Sequence, residues 1–206
     1  MNEGLRAFQS EVAVRNRNAI LRAASRLLAE RGYGRTRIGD IAGAAGVSPA
    51  TVYKHFRGKT EIFAAVVDAF KTELLHARPR VRDIEPLTDG IRVFLNWYAA
   101  TLTNVSALGF LRLIISEATQ FPEIVEVFYE RGKAQVFEPL GKLLHEAEQR
   151  DELRLEKVEL ALRQLLGMVE ASLLLRGLLR GEPIEEAHVR EVVEEALLTF
   201  LARYRA

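Results

Sequence analysis

Apolar positions recur three and four residues apart along most of the chain, and Val, Ile and Thr do not gather into alternating runs. That periodicity predicts helices and an all-α fold. Ile20, Ala24, Leu27 and Leu28 form the first stripe, on a helix expected over about residues 10–31, with residues 1–9 either frayed or a helical extension of it, Gly32 ending it and Tyr33 packing back. Ile38, Ile41, Ala42 and Ala45 share one face of a short second helix. Gly46 stands where that helix must stop, because Gly enters the left-handed region without a steric penalty. Val47 is apolar inside the turn, Ser48 is a good N-cap, and Pro49 suits the first helical position. Val52 and Phe56 then form the inner face of a third helix, also short. Phe63, Val66, Val67, Phe70 and Leu74 make the stripe of a fourth, over about residues 59–76, with Gly58 as cap and Glu61 in the first turn. Pro79 and Pro86 bracket a charged segment and predict a boundary at about residues 77–87.

Beyond it, Ile91, Phe94, Leu95, Tyr98 and Leu102 predict a fifth helix. A sixth is expected over about residues 107–119, capped by Asn104 or Ser106. Phe121-Pro122 opens a seventh. Pro139 would clash with the Gln135 carbonyl, so a kink or break is expected at about residues 132–139, with helix resuming to about 150. Residues 160–179 are apolar almost all round, so that helix must be covered on two sides. A turn at residues 181–183 precedes the last stripe: Val189, Val192, Val193, Ala196, Leu197, Phe200 and Leu201. Two such helices docked against their symmetry mates would make a four-helix dimer interface, with Leu166, Val169, Leu173, Val193, Leu197 and Phe200 at its centre. The alternative is a core internal to one chain.

The second and third helices carry the sharpest chemistry. Small residues at Ala42 and Gly46 let them cross closely, as a helix-turn-helix requires. The outward face of the third carries Thr51, Tyr53, Lys54 and His55, whose groups reach phosphates and base edges. Charge supports this. Residues 1–60 hold 11 Lys and Arg against 4 Asp and Glu, whereas residues 61–206 hold 18 against 24. The front of the chain is built to face a polyanion, although a solvated basic surface would look the same from charge alone.

Gly32-Tyr33, Thr36, Asp40-Ile41-Ala42, Ala45-Gly46-Val47-Ser48, Tyr53, Phe56 and Lys59, in that order, closely resemble the DNA-binding domain of the TetR family of bacterial repressors. The resemblance covers roughly the first third of the chain. Residues 112–132, RLIISEATQFPEIVEVFYERG, resemble the regulatory half of AefR-like repressors in the same family. These resemblances imply a DNA-binding domain at residues 1–58 and a helical regulatory and dimerisation domain at 59–206, with the 59–76 helix linking them. They imply a homodimer on double-stranded DNA and a small-molecule effector in the second domain. Tyr53, His55 and Lys59 resemble phosphate contacts of the family, and Arg15 and Arg17 lie where the first helix approaches the DNA backbone. Thr36 either caps the second helix or offers its hydroxyl to a phosphate. Two positions depart from the family: Arg37, where Ser or Thr is common, adds charge along the phosphates, and Gly39 stands where some relatives place a base-reading Arg. Base reading is therefore expected from Pro49, Ala50, Thr51 and Lys54, next to the Ser48 cap. Pro49 and Ala50 suit a thymine methyl, and Lys54 suits guanine O6 or N7.

Candidate effector contacts are Phe94, Trp97, Phe110, Arg112, Glu117, Phe121, Phe137 and Met168, each of which could equally be core or a surface ion pair. No Cys is present, and the four His are dispersed, so neither a metal site nor a cofactor is expected. No secretory pattern and no apolar run of about 18 residues occurs, which predicts a soluble cytoplasmic protein without a membrane partner. An enzyme is disfavoured, since neither a nucleophile–base set nor a glycine-rich phosphate loop is found. The remaining alternative is an architectural DNA binder without an effector.

Overall fold

A computed structural model describes residues 3–130, 134–180 and 184–206. Among the described residues the fold is all-α, with ten helices and a 3-10 turn. They are α1 (Glu3–Arg31), α2 (Ile38–Ala45), α3 (Pro49–His55), α4 (Lys59–His76), the 3-10 turn Val81–Asp83, α5 (Leu87–Thr103), α6 (Val105–Glu117), α7 (Pro122–Phe128), α8 (Ala134–Gln149), α9 (Val158–Arg180) and α10 (Glu186–Tyr204). No single helix among them is long and apolar enough to cross a membrane.

Most helices begin and end where local chemistry demands, and α6 and α8 differ from expectation, whereas the first helix takes the extended form of the two expected for residues 1–9. α1 starts at Glu3, well before its buried stripe begins at Ile20. Nothing in that leading stretch breaks a helix, so it continues on propensity alone with Phe8 and Val14 exposed. α6 begins two residues early because Asn104 is its cap: the Asn104 Oδ1 accepts the Ser106 and Ala107 N–H groups at 2.9 and 3.1 Å. The same residue ends α5, and the two helices are bent by 64° there. Pro139 sits inside α8 and does not break it. α8 begins at Ala134; residues 132–133 of the expected kink or break, and the expected turn at 181–183, lie outside the described residues.

The chain divides into two compact units, and not at residue 58. The first comprises Met1–Thr72 with Leu113–Gly132, and the second Glu73–Arg112 with Lys133–Ala206. Ile62 to Val67 of α4, the helix expected to link the two domains, are six consecutive buried residues. A helix flanking a domain buries a stripe; one buried on successive residues is enclosed, and here it is part of the first unit. Ile124 of α7, at 0% exposure, is likewise core of that unit.

In the second unit α5 packs on α8, α9 and α10, and α9 packs on α8 and α10. Gly90 lets the 3-10 turn lie on α5: a Cβ there would stand 3.1 Å from the Val81 carbonyl oxygen. The six residues expected at a dimer interface belong to this core. Leu166, Val169, Leu173, Val193, Leu197 and Phe200 are each no more than 3% exposed within a single chain. Burying each such side chain is worth about 1.5–3 kcal/mol to the chain's own fold, and nothing of them remains to offer a partner. The intrachain alternative is therefore correct for these residues. The outward apolar positions are others: Leu160, Leu175 and Leu179 on α9 and Leu198 on α10 are all more than half exposed.

Candidate nucleic-acid interface

The α2–α3 pair is held by caps at every junction. The Asp40 carboxylate accepts the Arg37 N–H at 3.1 Å, closing the start of α2. Gly46 ends it with φ 69°, its N–H turned to the Gly43 carbonyl at 3.2 Å while the Val47 N–H meets the Ala42 carbonyl at 3.0 Å. Ser48 Oγ accepts the Thr51 N–H at 3.1 Å and lies 2.9 Å from the Thr51 hydroxyl. Ile41, Ala42, Val52 and Phe56 fill the inner side, none above 3% exposed. A seven-residue helix has no stability of its own, so these contacts are what hold α3 rigid.

With Val52 and Phe56 inward, α3 turns the rest of its surface out. Ser48, Pro49, Ala50 and Lys54 are exposed, Thr51 and His55 half-buried, and Tyr53 is 58% exposed. Arg37 is exposed on the α2 flank, as is Arg15 on α1. Arg17 places its guanidinium over the Phe56 ring, 5.3 Å from the centroid, which brings a cation from α1 beside the end of α3. These residues form one polar, cationic surface around an exposed helix end.

Two residues expected on that surface are turned inward. Thr36 is fully buried, and its hydroxyl donates to the Gly32 carbonyl at 2.8 Å and the Leu27 carbonyl at 3.3 Å. It fastens the loop to the end of α1 and neither caps α2 nor faces a phosphate; the cap position is Arg37. Lys59 is half-buried, and its ammonium donates to the Tyr33 carbonyl at 2.9 Å. It stands 4.2 Å from the Tyr33 ring centroid and 5.5 Å from that of Phe121. Burial lowers the Lys59 pKa, while Glu117 and Glu123 act in the opposite sense.

Tyr33 is the residue the sequence reading undervalued. Its ring meets Phe63 and Phe121 edge-on at 5.5 and 5.1 Å, and its hydroxyl lies 3.1 Å from the Thr60 hydroxyl. Burial raises its pKa above the ordinary phenol value, with the Thr60 contact opposing. Glu117 and Phe121 lie against the loop beside it. Gly32 and Gly34 admit them: a Cβ on Gly34 would stand 2.9 Å from the Phe121 ring, and one on Gly32 would collide with the Glu117 carboxylate. Glu117 and Phe121, expected to line an effector pocket, are therefore part of the first unit.

Arg112 is also committed elsewhere. It donates to the Gly177 and Leu178 carbonyls at 2.6 and 2.8 Å, two of the last four of α9, which helical bonding leaves open. Phe110 is half-buried on α6. Phe94, Trp97 and Phe137 do come together. Phe94 meets Trp97 at 5.3 Å, Tyr98 meets Phe94 at 6.4 Å and Phe137 at 5.2 Å, and Met168 packs on the same core. The Tyr98 hydroxyl donates to Glu170, and burial raises its pKa strongly. Glu170 is the one carboxylate in residues 160–179, which marks it in the sequence as a polar exception on that helix.

Comparison with known proteins agrees with both halves. Residues 20–66 match the family model for bacterial regulatory proteins of the tetR family, and residues 89–206 match that for the C-terminal domain of AefR-like transcriptional repressors. The regulator CymR of Pseudomonas putida is 33% identical over 92 residues, 44% of this chain and 45% of that protein. The chain thus spans under half the length of that relative. YdeS of Bacillus subtilis, an HTH-type transcriptional regulator, is 27% identical over 182 residues, 86% of each chain. Among solved structures, the flavonoid-responsive regulator FrrA superposes with a TM-score of 0.82 at 29% identity, covering 93% of this chain and 97% of its own. A TetR-family regulator from Mesorhizobium loti has the same fold at a TM-score of 0.82 and 24% identity, over 94% of this chain and 98% of its own. An exposed recognition helix on a capped helix-turn-helix, joined to an AefR-like helical unit, makes this chain a DNA-binding transcriptional regulator of the TetR family.

Proposed function

We propose that the protein is a cytoplasmic homodimeric repressor that binds a near-palindromic operator and leaves it when a small molecule binds the second unit. The observation that carries the reading is α3, anchored by Val52 and Phe56 and offering Pro49, Ala50, Tyr53 and Lys54 to solvent. Two such helices, one per protomer, reach successive major grooves roughly 34–36 Å apart, which dictates an inverted repeat. The exposed α9 surface of Ala171, Leu175 and Leu179, with Leu198 of α10, is the apolar area a second copy would cover. The aromatic group of Phe94, Trp97, Tyr98 and Phe137, together with the flavonoid response named for FrrA, supports an aromatic effector. The protein performs no reaction on that effector; binding energy alone shifts it between high- and low-affinity states.

The test uses purified full-length protein and DNA it selects from a random library. A dimer in sedimentation, recovery of an inverted repeat with that spacing, and release by a flavonoid panel with the ligand recovered unchanged are the expected results. A monomer that selects no repeat overturns the reading. Selection of a repeat with no response to any small molecule or cell extract would favour an architectural role.

A further inference from the structure

Lys59 occupies the first position of α4, four residues after α3 ends at His55. Unpaired N–H groups at that helix start favour an anion, and the adjoining recognition surface makes a DNA phosphate the anion at hand. Yet the ammonium is held by other partners. The Tyr33 carbonyl accepts from it at 2.9 Å, the Tyr33 and Phe121 rings lie on it at 4.2 and 5.5 Å, and Glu117 and Glu123 attract it. Phe121, Glu117 and Glu123 all come from the α6–α7 corner of the AefR-like part, and Glu117 and Phe121 are seated in the space that Gly32 and Gly34 leave bare. All of these groups belong to one compact unit.

We propose that this corner is a competitive clasp: Lys59 is shared between the Tyr33–Phe121 box and an operator phosphate, and the closed box withholds one phosphate contact from each head. The inference rests on the DNA-binding function proposed above. Phe121 is then a positioning residue. It touches no DNA and acts through the availability of Lys59. A state that seats the α6–α7 corner more firmly weakens operator binding without moving α3, and one that loosens it strengthens binding.

The experiment is a double-mutant cycle on DNA selected by the wild-type dimer, read as dissociation constant over a salt series. Phe121→Ala removes one wall of the box, and Phe121→Leu removes its π face while keeping apolar volume. Lys59→Met removes the charge. In the Lys59 background either Phe121 variant should tighten binding on the order of tenfold for two heads, since each loses one exposed cation–π restraint. In the Lys59→Met background the same changes should leave affinity within about twofold, because no ammonium remains to release. Lys59→Met alone should flatten the salt dependence by nearly 2 per dimer. Circular dichroism melts identify the folded variants, and Phe121→Leu carries the test if the alanine variant does not fold. Equal effects of Phe121 substitution in both backgrounds, or an unchanged salt slope in Lys59→Met, overturn the clasp and leave the proposed function standing. Failure of the wild type to select DNA overturns both.

Discussion

Replacing Thr36 by Val separates a structural hydroxyl from a DNA contact. The side chain is fully buried, and its Oγ1 serves the Gly32 and Leu27 carbonyls at 2.8 and 3.3 Å. Val has nearly the same shape, so the substitution deletes a donor without opening a cavity. The shorter bond carries most of the loss. A buried carbonyl left without its donor costs about 1–3 kcal/mol, and because the second bond is long we place the effect at about 1–2 kcal/mol. That is roughly a 5- to 30-fold change in the folding equilibrium. Urea unfolding followed by circular dichroism reads it as a lower midpoint with unchanged slope. Thr36→Ser keeps the donor and loses one methyl group, about 0.8 kcal/mol, so it should fall between wild type and Val. Operator affinity of the folded Val variant, and its salt dependence, should equal those of the wild type. If instead stability is untouched while the salt slope flattens by about 1 per head, the hydroxyl meets a phosphate and the inward assignment is wrong.

Four further substitutions test the other assignments. Lys54→Ala removes an exposed cation from α3 and should relax base preference at one operator position per half-site by about 1–3 kcal/mol; a panel of single-base operator variants reads this, and uniform weakening across the panel refutes base reading. Arg112→Met strips the charged donors from the Gly177 and Leu178 carbonyls and should destabilise the second unit by about 1.5–3 kcal/mol, measured as a lowered melting temperature. Leu173→Ala, in the core at 0% exposure, should cost about 2–5 kcal/mol of chain stability, whereas Leu179→Glu, at a site 77% exposed, should leave the unfolding curve of dilute protein intact and abolish dimers in sedimentation. Dimers that survive Leu179→Glu exclude this end of α9 from the interface.

Helix periodicity and caps were the most legible part of the chain. Gly46, Ser48 and Pro49 each act through their own backbone and its nearest neighbours, so the sequence displays their roles directly. The exposed face of α3 followed from the same logic, because Val52 and Phe56 leave no choice about which side is inward. What could not be read was the set of contacts made by distant segments. Thr36 and Lys59 look like polar surface residues until the carbonyls of Leu27, Gly32 and Tyr33 are placed beside them. Phe121 reads as a pocket aromatic, and only the closure of residues 113–132 onto the head makes it a neighbour of Tyr33. The dimer residues were misassigned for a related reason. Apolarity all round α9 says that it is covered on several sides, and does not say which side another copy covers. Buried Leu173 and exposed Leu175 lie two residues apart on the same helix.

That closure also changes the electrostatics from which DNA binding was first inferred. Residues 1–72 hold 12 Lys and Arg against 6 Asp and Glu. Residues 113–132, which join them in the first unit, bring 1 Arg and 4 Glu, so the net charge of the unit is +3 and not +6. Long-range attraction to a polyanion scales with the charge gathered within about a Debye length, roughly 8–10 Å at moderate salt. An acidic segment seated in the head halves that charge before any single contact is considered. Two of its carboxylates, Glu117 and Glu123, attract Lys59. The segment belongs by sequence to the AefR-like part and by packing to the DNA-binding head. Sequence and packing thus divide the chain differently. A regulator whose signalling half supplies part of the charge on its reading half can alter DNA affinity by moving a few carboxylates and one ring, with α3 kept rigid on Val52 and Phe56.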